Sequence, residues 1–297
     1  MFHPPSDIAV GRLVSGVAEV PDALVPCGRC ILCRDFRRRQ WQKRLRLELF
    51  NNPDATFVTL TYDDDHCPLD VSKSDVQKFI KRFRQIPRDY NLDIGKFKYF
   101  FVSEYGSRTT RPHYHGIIFG VDMLLDRLSW QTELVSSKRE NGRIFPVYSS
   151  AVLSDVWSKG FVSVDSCNSR SIKYVCKYMM KTADDDGWLC DLAPNFYLYS
   201  RRLGTSLFLD DDALPTAFAY DSIMEGRVLI DRYGKPEGVP KYLDRYFELN
   251  DPDFLERVKA KRRDYVMNSP DLLHRAKAMA DGVYNNIANY KRKETLT

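Results

Sequence analysis

The sequence predicts an α+β fold built on one antiparallel β-sheet. Short segments rich in β-branched and aromatic residues alternate with amphipathic stretches of helical period. From residue 56 onward they follow the order strand, helix, strand, strand, helix, strand, helix. This order is typical of the split βαβ, or ferredoxin-like, arrangement, in which an antiparallel sheet carries helices on one face.

The elements can be placed along the chain from these patterns. Four strands are predicted, at Thr56–Tyr62, Phe97–Glu104, His113–Phe119 and Gly160–Asp165. Val, Ile, Thr, Phe and Tyr dominate them, and these residue types fit a pleated surface. Helices are predicted at 35–51, from Ser72 or Ser74 to about 86, near 122–133, near 150–158, and from Ser169 or Ser171 to about Lys181. A polar loop is expected at 136–143.

The chain is expected to have three parts. Residues 1–52 form a Cys-rich segment and a basic helix, and residues 53–183 form the core that holds the sheet. Residues 184–297 form an extension that is first irregular and then helical and basic. A chain of 297 residues can bury a sizeable core without disulfides or metal ions.

The charge distribution favours a polyanionic partner. The net charge is only +5, but Arg34–Arg46 holds seven basic residues and one acid, and Arg257–Arg263 holds five basic residues in seven. Such clusters are typical of nucleic-acid binding, although a solvated helix face would have the same composition. The residues predicted to contact DNA are Arg37, Arg38, Arg39, Lys43 and Arg44.

Membrane association and export are not expected. No apolar run approaches the ~20 residues that a membrane-spanning helix needs. The N-terminal sequence lacks the basic and apolar regions of a secretory signal. We therefore expect a soluble protein of the cell interior.

A pair of histidines on the third strand is a candidate metal site. Alternate residues of a strand share a face, so His113 and His115 point the same way and Tyr114 points the opposite way. Glu104 ends the preceding strand, and an antiparallel pairing would bring it beside them. Two histidines and a carboxylate suit Mg²⁺ or Mn²⁺ acting as a Lewis acid. The alternative is a chance pair of structural histidines with a surface glutamate.

Two tyrosines on the last predicted helix are candidate nucleophiles. Tyr174 and Tyr178 are four residues apart, so both hydroxyls emerge on one face of the helix. Lys177 and Lys181 each follow a tyrosine by three residues, and an ammonium group can favour the phenolate. The alternative is an amphipathic helix with tyrosines on the core side and lysines in solvent.

These motifs resemble those of the HUH endonucleases, which take their name from a His-hydrophobic-His strand. A Thr-Leu-Thr-Tyr strand, the His-Tyr-His strand and a Tyr-x-x-x-Tyr helix occur here in that family's order. Within the superfamily the chain is similar to the rolling-circle replication initiators of microviruses, and of the gokushovirus branch in particular. Pro-Cys-Gly-Arg-Cys-Ile-Leu-Cys-Arg from Pro26 and the basic Trp-containing helix also resemble that branch. So does Ser-Arg-Arg-Leu-Gly at 200–204, although the usual form has Pro before the Gly.

The resemblance implies a specific activity. His113, His115 and Glu104 would hold one Mg²⁺ or Mn²⁺, and one of the two tyrosines would attack the scissile phosphate. The products would be a 5′-phosphotyrosine and a 3′-OH that primes synthesis, and the second tyrosine would allow cleavage again and circularisation of the displaced strand. Lys177 and Lys181 would stabilise the phosphate or the phenolate. The expected partners are single-stranded or locally melted origin DNA, a host helicase and a host DNA polymerase, in the cytoplasm of a bacterial host.

Three cysteines are candidate ligands of a structural zinc ion. Cys27, Cys30 and Cys33 form a C-x₂-C-x₂-C motif, which supplies three thiolates. A tetrahedral site needs a fourth ligand, for which the candidates are His66, Cys67 or Cys167. Buried or reactive free thiols are the alternative.

Other functions remain as alternatives. A plasmid initiator or transposase of the same superfamily would carry the same motifs. A non-enzymatic nucleic-acid-binding protein on the same sheet would leave the histidine and tyrosine pairs unexplained. A two-histidine phosphoesterase would carry two His-x-Ser/Thr motifs, which are absent from this sequence. No G-x-x-x-x-G-K-[ST] motif occurs, so unwinding is assigned to a host enzyme.

Overall fold

The structure is a computed structural model of the chain. It describes residues 31–106, 109–140, 143–180, 192–209, 216–229 and 236–268. The chain divides into two compact units, Met1–Leu207 and Phe208–Thr297. Among the helices of the described ranges, none is both long enough and apolar enough to cross a membrane.

The elements of the two units are as follows. The helices of the first unit are α1 (Ile31–Asn51), α2 (Lys73–Phe83), α3 (Ile86–Tyr90), α4 (Ala151–Trp157) and α5 (Ser169–Lys177), and a 3-10 turn follows at Tyr178–Met180. Its strands are β1 (Ala55–Tyr62), β2 (Lys98–Tyr105), β3 (Pro112–Phe119), β4 (Thr132–Glu140), β5 (Arg143–Ser150), β6 (Gly160–Ser166) and β7 (Tyr197–Tyr199). The second unit contains α6 (Ala217–Glu225), β8 (Arg227–Leu229), β9 (Pro236–Gly238), α7 (Tyr242–Asn250) and α8 (Pro252–Met267).

The first unit is built on a seven-stranded sheet. Its strand order is β4-β5-β6-β1-β3-β2-β7, and all neighbouring strands are antiparallel. The four predicted strands are confirmed to within one residue at each end, as β1, β2, β3 and β6. The histidine strand β3 lies between β1 and β2, at the interior of the sheet. An α+β fold with an antiparallel sheet is therefore correct.

Helices cover both faces of this sheet. α2 and α4 pack against Leu60, Tyr114 and Val162 on one face, whereas α1 and α5 pack against Phe100 and Ile117 on the other. The expectation of helices on one face is therefore wrong for the whole unit. The reason is that the central strands carry buried apolar side chains on both faces, and both faces must be shielded from water.

The segment between β3 and α4 differs from its prediction. The helix expected near 122–133 is absent: turns occupy most of it and β4 begins at Thr132. The polar loop expected at 136–143 belongs instead to a β4–β5 hairpin with a bulge between Leu134 and Ser136. Leu134 and Val135 are exposed. Because this part of the hairpin buries neither face, its sequence lacks the apolar alternation by which a strand is recognised.

The tyrosine helix begins and ends close to its predicted limits. Asn168 caps α5, and its side chain accepts hydrogen bonds from the backbone N–H groups of Arg170 and Ser171. The α-helix ends at Lys177, so Tyr178 lies on the 3-10 turn rather than on the helix. Lys181, to which the helix was predicted to extend, lies outside the described residues.

Tyr114 anchors the middle of β3 from the face opposite to the histidines. Its hydroxyl oxygen lies 3.0 Å from that of Tyr62, which donates a hydrogen bond to Asp75 Oδ2 at 2.8 Å. The backbone N–H of Ser72 donates to the Tyr114 hydroxyl at 2.6 Å. Burial is the main cause that raises the pKa of both Tyr62 and Tyr114. The network ties β1 and β3 to the start of α2.

A buried carboxylate holds α1 against the loop that follows β7. Glu48 accepts hydrogen bonds from Lys98 Nζ at 2.9 Å and from the backbone N–H of Gly204 at 2.7 Å. Arg44 donates to the carbonyl oxygen of Leu203 at 2.8 Å. At Gly204 φ is +74°, and a Cβ atom would lie 2.6 Å from the carbonyl oxygen of Arg44. The Arg-Arg-Leu-Gly segment noted in the sequence therefore packs against α1.

Replacing Gly204 by Ala is expected to lower the free energy of unfolding by about 2–4 kcal/mol. The left-handed backbone and the contact with α1 each contribute to this loss. Gly226 has a similar φ, +71°, but a Cβ atom there would meet no other atom within 4 Å. Gly226→Ala should therefore lose only about 1–2 kcal/mol. Urea denaturation followed by circular dichroism measures both variants, and equal losses would contradict the close contact at Gly204.

Raising the pH above 10 is expected to destabilise the protein through its buried tyrosines. The pKa of Tyr62 is raised in the folded state, so the unfolded chain releases this proton at lower pH, and stability falls as pH rises past the unfolded value near 10. Tyr62→Phe should flatten the fall, whereas Tyr265→Phe, at an exposed position, should not. Urea denaturation between pH 8 and pH 11 tests this, and identical slopes for the two variants would refute it.

Candidate active site

The register of β3 brings the predicted metal ligands together on one face of the sheet. Thr61 of β1 and Glu104 of β2 lie directly opposite His113, and Thr59 lies opposite His115. Directly opposed residues of antiparallel strands point to the same face. The predicted pairing of Glu104 with the histidine strand is therefore confirmed.

His115 is held by hydrogen bonds on both ring nitrogens. Its Nε2 lies 3.0 Å from Glu104 Oε2, and its Nδ1 lies 3.1 Å from Thr59 Oγ1. The carboxylate is an acceptor only, so Nε2 carries the proton and Thr59 donates to Nδ1 in the neutral ring. The sequence motif marked the Thr59 strand, but it did not assign this role to Thr59.

His113 is half-buried and electrically neutral. Its Nδ1 is buried and has no hydrogen-bond partner. Burial, followed by the neighbouring His115, lowers the pKa of His113. Gly106 leaves space for the ring, since a Cβ atom there would lie 3.1 Å from His113 Nε2. A neutral imidazole with an unpaired ring nitrogen is available to accept a proton or to bind a cation.

Both tyrosines lie against His115. The Tyr178 ring stacks on the imidazole with a centroid distance of 4.9 Å and an interplanar angle of 14°. The Tyr174 ring meets the imidazole edge-on at 5.2 Å, and the two tyrosine rings are 5.1 Å apart. Although Tyr178 lies beyond the end of α5, the two tyrosines still share one site with the histidines.

The two tyrosines differ in exposure and in acidity. Tyr174 is 44% exposed, whereas Tyr178 is 7% exposed. Burial is the largest cause that raises the pKa of Tyr178, followed by a hydrogen bond with Tyr174, and Glu104 adds to it through its charge and a hydrogen bond. Tyr178 is therefore held as a neutral phenol, and Tyr174 presents its ring to solvent.

An arginine that sequence analysis missed holds the tyrosine turn in place. Arg34 of α1 donates to the carbonyl oxygen of Met180 at 2.8 Å, 146 residues along the chain. The sequence predicted a DNA-binding role for this basic run, and a contact so distant in sequence leaves no local pattern. Lys177 is exposed at the end of α5.

The predicted DNA-binding residues occupy different environments on α1. Arg38 and Arg39 form ion pairs with Asp35. The guanidinium carbon of Arg44 lies 4.1 Å from the Trp41 ring centroid, so Arg44 serves the packing of α1 in addition to any contact with DNA. Arg37 is exposed and Lys43 is partly buried. Their binding to DNA stays a prediction.

The metal sites stay predictions as well. In the ranges that the structure describes, no group of three or more His, Cys, Asp and Glu side chains is arranged to hold an ion as it stands. The donors at the histidine site fit a divalent cation chemically, because two imidazoles and a carboxylate share one face and His113 Nδ1 has no partner. Cys33 lies on α1, and Cys27 and Cys30 lie outside the described residues.

Comparison with known proteins identifies the family. The model of the replication-associated protein ORF2 family matches residues 55–183, which include both histidines and both tyrosines. Replication-associated protein ORF2 of Spiroplasma virus 4 is 30% identical over 249 residues, which make up 80% of this chain and 72% of that protein. No solved structure matches the chain.

Two further relatives come from other bacterial viruses. Replication-associated protein VP4 of Bdellovibrio phage phiMH2K is 31% identical over 169 residues, 55% of this chain and 50% of that protein. Replication-associated protein ORF4 of Chlamydia phage 1 is 30% identical over 158 residues, 53% of this chain and 38% of that protein. The resemblance to microvirus initiators is thus confirmed, and the chain belongs to the ORF2 family of phage replication-associated proteins.

Proposed function

We propose that this protein initiates rolling-circle replication of a single-stranded phage DNA by nicking one strand at the origin through a 5′-phosphotyrosine and later rejoining it. The observation that carries the proposal is the clustering of Tyr174, Tyr178 and His115, with ring centroids about 5 Å apart, beside Glu104. Phage relatives named as replication-associated support initiation over a plasmid initiator or a transposase.

The fold that we propose is the ferredoxin-like HUH arrangement. The strand order β6-β1-β3-β2, with α2 and α4 on one face, supports it. In this arrangement β3 is the central histidine strand, and α5 follows with the tyrosines on the opposite face from α2 and α4. The β4–β5 hairpin is an insertion between β3 and α4.

The reaction is a transesterification. Tyr174, the more exposed phenol, attacks the scissile phosphorus first: its oxygen forms the bond to phosphorus, and the bond to the 3′ oxygen breaks. The phenolic proton leaves toward a base at the site, and the 3′ oxygen departs as a hydroxyl that primes synthesis. His113, neutral and with an unpaired nitrogen, is positioned to hold a proton. Lys177 and Lys181 stabilise the phosphate charge.

The ligand set for a cation consists of His113, His115 and Glu104. A Mg²⁺ or Mn²⁺ ion in that set would supply Lewis-acid polarisation of the phosphate. Thr59 orients His115, as an outer partner orients a ligating histidine. For the Cys27, Cys30 and Cys33 segment we propose a structural zinc ion.

Two tyrosines allow the reaction to be completed. The first phosphotyrosine conserves the energy of the broken bond, so rejoining needs no ATP. Tyr178 cleaves the regenerated origin while Tyr174 still carries the old 5′ end, and the new 3′-OH then attacks that first linkage to circularise the strand. The DNA must be single-stranded or locally melted. A host helicase and DNA polymerase supply unwinding and synthesis, in the bacterial cytoplasm.

The basic face of α1 provides sequence-independent affinity for DNA. Arg37 and Arg39 are exposed there. Phosphate contacts release counterions, so binding should weaken as salt concentration rises.

Loss of both phenols is expected to abolish nicking and to preserve DNA binding. The substrate is a set of labelled single-stranded oligonucleotides that tile the phage genome, and a denaturing gel detects the protein–DNA adduct. Tyr174→Phe/Tyr178→Phe should give no adduct, and Tyr174→Phe alone should reduce the first cleavage more than Tyr178→Phe does. Tyr265→Phe, at an exposed position in the second unit, is the control. An adduct from the double variant would refute the assignment, and absence of an adduct from the wild type would favour a non-enzymatic DNA-binding protein.

Removal of divalent cations is expected to stop adduct formation. EDTA should reduce the adduct below detection, and Mn²⁺ should restore it, because two imidazoles and a carboxylate form the proposed site. Electron paramagnetic resonance of Mn²⁺ gives a second readout that does not depend on activity, in which His113→Ala and His115→Ala should weaken binding at least about tenfold. Equal nicking in EDTA and in Mn²⁺ would contradict the metal site.

A further inference from the structure

An exposed phenylalanine lies on the same face of the sheet as the catalytic residues. Phe161 of β6 is directly opposite Thr61 of β1, and Thr61 is directly opposite His113 of β3. The row continues to Glu104 of β2. Opposed residues share a face, so Phe161 lies two strands, or about 10 Å, from the histidine strand on the catalytic side.

The position of Phe161 is rigidly determined. Gly160 precedes it with φ +136°, and a Cβ atom at that glycine would lie 2.3 Å from the backbone nitrogen of Asp63. The N–H of Asp63 also donates to the carbonyl oxygen of Lys159 at 3.0 Å. The start of β6 is thus fixed against the end of β1, and the phenylalanine backbone is held at a set distance from the active site.

Phe161 is unusually exposed for an inner strand. Its side chain is 68% exposed, whereas Val162 and Val164, its neighbours on the opposite face, are buried. Its partner across the strand pair, Thr61, and the next residue on its own face, Ser163, both carry hydroxyl groups. A single exposed ring among hydroxyls is too small an apolar surface for a stable protein interface. It does match a nucleobase, which stacks by its face and accepts or donates hydrogen bonds at its edges.

We propose that Phe161 stacks on a base of the origin strand next to the scissile phosphate, and so fixes which phosphate reaches the tyrosines. This inference rests on the proposed nicking function and adds a subsite to it. The ring stands beside the reaction site without contacting His113, Tyr174 or Tyr178, so Phe161 is a positioning residue. Thr61 and Ser163 are available to bond the edge or the sugar-phosphate of the same nucleotide.

The proposal is tested by pairing a Phe161 variant with a missing base. The nicked oligonucleotide, found by its adduct and sequenced, is remade with one abasic site at each position around the cut. Binding is measured at constant salt in the Tyr174→Phe/Tyr178→Phe background, which leaves the DNA intact. One abasic position should weaken binding by about 5- to 150-fold, the range for stacking of a base on an aromatic side chain. With Phe161→Ala that position alone should show no further loss.

Two other variants serve as controls. Phe161→Tyr keeps a ring and should restore the loss at the abasic position, and with both catalytic tyrosines present it should cut at the wild-type phosphate. Phe161→Ala in the same nicking protein should raise KM more than it lowers kcat and should spread cleavage to neighbouring phosphates. Leu128→Ala removes an exposed apolar side chain in a turn outside this row and should match the wild type.

The outcomes separate this proposal from the nicking function. If the wild type forms an adduct but the losses from Phe161→Ala and from every abasic site are additive, the stacking subsite is refuted and the nickase stands. The same holds if Phe161→Ala leaves binding and the cut position unchanged, or if the ring instead mediates self-association, seen as a dimer that Phe161→Ala abolishes. If no oligonucleotide forms an adduct, the nicking function and the subsite both fail.

Discussion

The two-residue period of one buried strand is the constraint on which the site depends. Along β3, His113 and His115 face one side of the sheet and Tyr114 faces the other. The Tyr114 hydroxyl network with Tyr62 and Ser72 fixes the strand from behind. A shift of register by one residue would place the histidines among the apolar side chains of α2 and α4. The position of the catalytic imidazoles is therefore set by interactions on the face that takes no part in the chemistry.

The tyrosine side of the site depends on contacts that are distant in sequence. Arg34 of α1 holds the carbonyl group of Met180, and α1 is itself held by the hydrogen bonds of Glu48 and Arg44 to the loop after β7. The basic helix is thus a structural support of the turn that carries Tyr178, in addition to being a candidate DNA-binding surface. Positive charge that serves packing and positive charge that serves binding alternate along one helix.

Much of the site could be predicted from sequence because it consists of short local patterns. His113 and His115 share a face through strand period, and Tyr174 and Tyr178 share a site through helical spacing. The β4–β5 hairpin could not be predicted, since Leu134 and Val135 are exposed and leave no alternation. The contacts of Arg34 and Glu48 could not be predicted either, because both join residues more than a hundred positions apart. Exposure of Phe161 is likewise a property of its neighbours in space, not of its own segment.

In the part of the chain that the structure describes, the catalytic side chains lie on the face of an open sheet. A sheet with two edges is not a closed ring through which a strand must pass. This matters because the product of the proposed reaction is a circle, and a circle has no end that could be drawn out of a hole. On an open face the joined strand can be lifted off sideways, so release requires no second cut and no opening of the sheet around the DNA.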